Sequence, residues 1–430
     1  MPDTTIAEVK GRRVWDSRGR PTVEADVRLA CGALGRAIAP AGASRGSREA
    51  QDLRDGGTVL GGYDVQRALA NVNGEIARTL RGQDAADQDA VDRALIALDG
   101  TPLKSRLGGN AIVAVSMAVL HAAAAAAGEP LHRYLSAGAP VRIPLPEIQI
   151  FGGGAHAGRR VDIQDFMVMA PGASSFDEAL AMTADVYLAA GKLMAERGLL
   201  QGVADEGGYW PAFDNNEEAL EMLLRAIERS GHRPGEDVAI SLDIAASEFG
   251  RGGRYRFGLE SREFDSDGLA EVLLGWLDRY PIVSVEDPMA EDDAKGMARF
   301  TAAAGSRVQI IGDDYLVTNA ALVDRAAAEQ ACNAVLIKPN QAGTMTETRA
   351  ALDAGARHGF GTIVSARSGE TEDVTIAHLA VGWNAGQIKV GSFTRSERMA
   401  KWNEVLRIAE TLGADAPFAG RSALPISARA

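Results

Sequence analysis

"PIVSVEDPMAE" (residues 281–291) decides the fold: five apolar-dominated residues run into Glu286, and the run then stops. It is too short for a core helix and reads as a buried strand whose last residue carries a charge. The same form recurs in "DVAISLDIAAS" (237–247), "RVQIIGDDYLV" (307–317), "NAVLIKPNQAG" (333–343), "TIVSARSGE" (362–370) and "GQIKVGS" (386–392), each followed by a helical segment. Strand–helix alternation sustained from about residue 140 predicts parallel strands with crossover helices. The number of units favours a closed barrel over an open sheet.

Upstream the rhythm differs. "TVEADVRLACGALGRAIA" (22–39) alternates, placing Val23, Ala25, Val27 and Leu29 on one face, and then turns through glycine into a second strand. A small-residue loop, "PAGASRGSREA" (40–50), follows, and then three helical patterns: "YDVQRALANVNGEIARTLRG", "DQDAVDRALIALDG" and "NAIVAVSMAVLHAAAAAAG". Alanine at this density implies close helix packing. The division expected is an α+β domain over 1–135 and a barrel over 136–430.

At 430 residues the chain has room for two domains or a barrel with an appendage, and 46% hydrophobic residues suffice for a large core. The net charge of −13 argues against nucleic acid or an anionic membrane as a partner. No apolar signal core opens the chain, and "HAAAAAAGEP" (121–130) is too short to cross a bilayer, so a cytoplasmic protein is expected. Cys31 and Cys332 lack metal-type spacing; they are either a disulfide or, as a reducing cytosol favours, two buried free thiols.

The chemistry sits at the strand ends. Asp243, Glu286, Asp313, Lys338 and Lys389 each stand where an apolar run stops, and in a β/α barrel those ends face one shared cavity. Any one carboxylate is best read as a helix cap or a lysine partner. Three at equivalent positions beside two lysines point to an oxygen-rich pocket for Mg²⁺, because bare carboxylates at that density repel. A lysine next to such a centre is a candidate general base, its pKa depressed by neighbouring positive charge.

The chain resembles the enolase family over nearly its whole length, in "DSRGRPTVEADV", "GASRGSREAQDLRDG", "DEGGYWP", "LDIAASEF", "VEDP", "GDDYLVTN", "LIKPNQAGT", "RSGETED" and "RSERMAKWN". That resemblance implies a small N-terminal α+β domain followed by an eight-stranded β/α (TIM-like) barrel of slightly irregular topology, two Mg²⁺ ions and a homodimer or octamer. It implies that Asp243, Glu286 and Asp313 hold one ion, and that Ser44, in a mobile loop, helps to hold the second. Lys338 would take an α-proton, Lys389 would grip a carboxylate, and Glu206 would be the general acid for loss of a β-hydroxyl. Arg367 and Ser368 would bind a phosphoryl group, Gln164 would line the site and His156 would close over it. His121, His132, His232, His358 and His378 are read as structural.

Four departures from the family pattern stand out. Ala366 replaces a histidine, Asp165 in "QDF" replaces a catalytic glutamate, Arg45 in "GASR" replaces a threonine, and Arg159 and Arg160 follow His156 in place of small or uncharged residues. A working enolase would have to tolerate them, and a non-catalytic relative would have no use for the intact acids and lysines. The reading that uses them is a dehydratase for a larger, more anionic relative of 2-phosphoglycerate. Ala366 would give room, and Arg45 or Arg159 would grip an added anion. A family branch of this kind is carboxyphosphonoenolpyruvate synthase, of phosphinate antibiotic biosynthesis.

Overall fold

In the computed structural model, which describes residues 2–426, the chain begins with a three-stranded antiparallel sheet of β1 (Ile6–Trp15), β2 (Pro21–Leu29) and β3 (Leu34–Ile38). Val23, Ala25, Val27 and Leu29 are all buried, as their alternation predicts. Against this sheet lies the helix Gly109–Ala127. Its alanines permit a very close approach: a Cβ on Gly35 of β3 would sit 2.0 Å from the Ala118 carbonyl oxygen. The alanine-rich stretch 121–130 supplies only the end of this helix, so the length that bears on crossing a bilayer is the helix's own. The helix has 19 residues and is apolar enough, but 78% of its most apolar window is buried inside the protein. It is a core helix. The preceding pattern, read as one helix, is broken: Gln66–Asn71 and Ala77–Leu80 are α-helical, and Val72–Ile76 between them is a wider π-turn.

Eight strands close the barrel: β4 (Leu145–Gly152), β5 (Asp165–Met169), β6 (Ala239–Asp243), β10 (Ile282–Glu286), β11 (Gln309–Gly312), β12 (Ala334–Ile337), β13 (Gly361–Ser365) and β14 (Gln387–Ser392). Between β6 and β10 the chain makes a small separate sheet, β7 (Gly250–Arg251), β8 (Arg254–Phe257) and β9 (Arg262–Asp265). The barrel departs from the all-parallel expectation at one strand. β5 runs antiparallel to both of its neighbours, β4 and β6. The reversal is functional in its consequence, because the start of β5 then lies beside the ends of the other strands: Asp165 is registered directly opposite Asp243.

Six of the barrel helices start where the sequence supplies a side-chain N-cap, whereas Thr375–Gly382 and Ser396–Leu412 start without one. Ser175, Asn215, Asp265, Asp293, Asn319 and Thr344 each accept a backbone N–H from the first turn of the helix they precede. Each such cap is worth about 1 kcal/mol. Both cysteines are free, Cys332 buried and Cys31 exposed, so the reading of two buried thiols holds for one of them. Cys31 lies in the turn between β2 and β3, where no core reaches it.

Candidate active site

Strand register brings the strand-end residues to one level. Asp243 of β6 pairs with Glu286 of β10 on one side and with Asp165 of β5 on the other. Lys389 of β14 lies beside Ser365 of β13. All five charged residues predicted at the strand ends are buried, none more than 7% exposed. Lys389 Nζ donates to Asp243 Oδ2 at 2.9 Å and to Glu286 Oε2 at 2.8 Å, with Asp165 Oδ2 at 3.6 Å. Burial opposes its charge, but Asp243 and Glu286 outweigh burial and push the ammonium pKa well up. Lys338 Nζ donates to Asp313 Oδ2, and the Gln341 side chain donates to Asp313 Oδ1 at 2.8 Å.

Burial and Arg367 push the Lys338 pKa down, and Asp313 and Glu286 push it up by more. Glu286 moves the other way from most acids: burial, and then Asp243, drive its carboxyl well above the usual carboxylate range.

His156 sits in a 3₁₀ turn (Gly154–Ala157) between β4 and β5 and joins two acids. Its Nδ1 is 3.0 Å from Asp165 Oδ1, and its Nε2 is 3.7 Å from Glu206 Oε1. Burial disfavours the imidazolium, but Glu206 and Asp165 together raise its pKa to about 9. Asp165 is correspondingly lowered to about 2, against burial, by His156 and Lys389. Gln149 donates to the same carboxylate and fixes it. Gln164 donates to Asp243 Oδ2 at 3.1 Å.

On the opposite wall Arg367 and Ser368 face the cavity beside Ser44 and Ala366. The Arg367 guanidinium is fully engaged: Nη1 donates to Glu49 Oε2 and Asn340 Oδ1, both at 2.9 Å, and Nη2 donates to the Ser44 carbonyl at 2.8 Å. Gly42 is required here, since a Cβ would come within 2.1 Å of Arg367 Nη2. Free space among these groups is only about 20 Å³, little more than one water, because Lys389 and Arg367 reach into it.

Two of the predicted anion ligands lie outside the lining of this cavity. Arg159 points to the surface and pairs with Glu248 at 2.8 Å, its side chain 69% exposed. Arg45 is exposed and faces a groove formed with Ser47, Glu49 and Asp52. Both arginines sit in loops, where charge alone does not set direction. Arg160 also lies outside the cavity lining.

The donor set fits a divalent cation. Among the described residues, the buried acceptor oxygens without a hydrogen-bond partner include Glu286 Oε1, Asp165 Oδ2 and Gln164 Oε1, which lie at this barrel mouth. Unpartnered buried acceptors are costly in an apolar setting and natural around a hard cation. Two groups of side chains bring ligand atoms within 4.8 Å of one another, His156–Asp165–Glu206 and Asp287–Asp313–Asp314; among the described residues the predicted trio Asp243, Glu286 and Asp313 is not drawn together in this way. Sequence reading missed Asp287 and Asp314, although the dipeptides Glu286–Asp287 and Asp313–Asp314 doubled the acids at both strand ends. It also missed Glu49 and Gln341, whose amide donates to Glu49 Oε1 at 3.2 Å; no motif in the loop pointed to that pairing.

The chain matches two family models along nearly its full length. Residues 6–135 match the enolase N-terminal domain, and residues 140–426 match the enolase C-terminal TIM barrel domain.

Proposed function

The chain belongs to the enolase family, and from that premise we propose that it removes water from a 2-phosphoglycerate-like substrate whose phosphorus end is larger and more anionic, the carboxyphosphono analogue being the best fit. The coarser statement, a Mg²⁺-dependent dehydratase of the enolase superfamily, follows from the family and from the acidic clusters. The observation that carries the proposal is the pairing of Lys338 and Lys389 across a set of acids with unsatisfied oxygens.

Lys338 is the base. It accepts the α-proton at Nζ as a free amine, so substrate entry has to go with loss of its bond to Asp313. Lys389 is the cation for the substrate carboxylate, and its three acidic neighbours hold it protonated for that role. Glu206 delivers a proton to the departing hydroxyl, and His156 stands between it and Asp165 as a charged spacer. Mg²⁺ held by Asp243, Glu286 and Asp313, with Ser44 near a second ion, would supply the positive charge that favours ionisation next to a carboxylate. Asp165 is shorter than the glutamate it replaces, but Gln149 and His156 already fix it.

Support for the larger substrate is the methyl of Ala366, which lines the cavity beside Ser365 and Val390 where an imidazole would stand. Because the free space is small as the chain now lies, such a substrate requires the loop at 42–46 to move and Arg367 to release Glu49. The arginines at 45 and 159 add nothing in this arrangement. The test is Mg²⁺-dependent enol absorbance with 2-phosphoglycerate and with its carboxyphosphono analogue. The expected result is faster elimination from the analogue. Equal or better turnover of 2-phosphoglycerate would make this an ordinary enolase, and Mg²⁺ binding with no turnover of either would leave a non-catalytic relative.

A further inference from the structure

One of the places where the N-terminal domain meets the anion wall of the barrel is the turn Asp16–Gly19. The Ser17 N–H donates to the Glu370 carbonyl at 2.8 Å, and Ala41 and Gly369 exchange backbone hydrogen bonds at 2.9 and 2.8 Å. At the centre is Arg18, with a side chain only 6% exposed. Its Nη1 donates to Ser368 Oγ at 3.2 Å, and its Nη2 donates to the Ala41 carbonyl at 2.9 Å and to Asp16 Oδ2 at 3.0 Å. Gly369 makes room for this fork: a Cβ there would lie 2.2 Å from Arg18 Nη2. The Ser368 carbonyl is held separately, by Arg398 and by the Ser17 hydroxyl.

A serine hydroxyl has one proton to give and two lone pairs to receive with. A guanidinium that donates into the oxygen obliges the hydroxyl proton to point away from it. Among the described residues no protein acceptor takes that proton, and Ser368 lines the cavity. We propose that Arg18 is a positioning residue that turns the Ser368 O–H toward the anionic group of the substrate and fixes Ala41, the point from which the loop carrying Ser44 departs. The inference rests on the reading that Ser368 grips a phosphoryl group.

The test is a double-mutant cycle on the Mg²⁺-loaded full chain, with inorganic phosphate as the probe and calorimetry as the readout, over wild type, Arg18→Gln, Ser368→Ala and the double variant. Each single variant should weaken phosphate binding about five- to tenfold, as expected for loss of one charge-assisted or hydroxyl hydrogen bond. The double variant should be no weaker than Ser368→Ala within twofold. Independent, multiplying effects would overturn the proposal, as would an Arg18→Gln variant or a wild type that shows no specific effect on phosphate. Arg18→Lys keeps the charge without the fork, and it also serves if the glutamine variant does not fold. It should remain weak, and full phosphate affinity in it would show that charge alone suffices. With 2-phosphoglycerate or its analogue, KM should rise more than kcat falls. Phosphate coupling without turnover of either substrate would sink the proposed reaction and leave the role of Arg18 standing.

Discussion

His156, buried, and His378, largely buried, are imidazoles with a carboxylate at hand, and their pKa values move in opposite directions. At the barrel mouth, acids stand at both ring nitrogens of His156, and its pKa rises to about 9. In the seam where the helices Leu131–Ser136, Thr375–Gly382 and Ser396–Leu412 meet, His378 has Glu404 at 3.3 Å and feels Asp373 more weakly, against the imidazoles of His121 and His132. It stacks on His132 with ring centroids 5.6 Å apart, and its pKa falls to about 4, through burial first, with His121 and His132 adding to it. Burial has the same sign at both sites. The number of carboxylates against the number of imidazoles decides which way each ring goes, and it separates a histidine that handles charge from one that fills space.

The sharpest way to break this contrast is to disable the mouth without touching the seam. Lys338→Met should lower kcat by about 10⁴-fold, with the thermal midpoint unchanged or raised, since Asp313 keeps Gln341 as a donor. Loss of fold in this variant would mean that the mouth is structural. Next in size is the histidine swap. His156→Gln should cost about 10²-fold in kcat with modest effect on stability. His378→Gln should leave kcat alone and alter stability. If both act on stability only, the distinction between the two rings has no functional content.

The pH dependence of stability should show the two rings separately. His378 has a folded pKa of about 4 against an ordinary 6.5, so between those values the unfolded chain binds more protons, and stability rises with pH. The full difference corresponds to about 3 kcal/mol, lost progressively as pH falls from 6.5 toward 4. His156 is raised to about 9, so its contribution is complete below 6.5 and is lost as pH rises through 9. Denaturant midpoints measured across pH 4–10 should therefore fall on both sides of a maximum near 6.5. His378→Gln should flatten only the acid limb and His156→Gln only the alkaline one.

How much of this was legible in the sequence differs between the same two regions. Asp243, Glu286, Asp313, Lys338 and Lys389 could be read because a short apolar run ending in a charge fixes both the strand and the end at which its chemistry lies. The direction of β5 could not be read. Its five residues are buried on both faces, and a fully buried strand has no alternation to report register or sense. Loop side chains were equally silent: Arg45 and Arg159 stood out as departures from the family pattern, but nothing in the sequence told that Arg159 turns to Glu248. The seam was legible only in outline. Its histidines were sorted as structural by default, and their stacking depends on three helices that are distant in sequence.

The smallest effect expected is also the most discriminating for the seam. His132 is 4% exposed, and neither of its ring nitrogens has a hydrogen-bond partner among the described residues. A buried polar group in that condition lowers stability, and replacing it with an apolar group of similar size is neutral or favourable. His132→Leu should therefore raise stability by about 1 kcal/mol at pH 7. It should also soften the acid limb, because a protonated His378 would no longer face a second imidazole. A loss of more than about 1 kcal/mol would show that the His132 nitrogens do have partners. The seam would then be a polar network in its own right, and its contrast with the mouth would lie in the kind of partner each ring has.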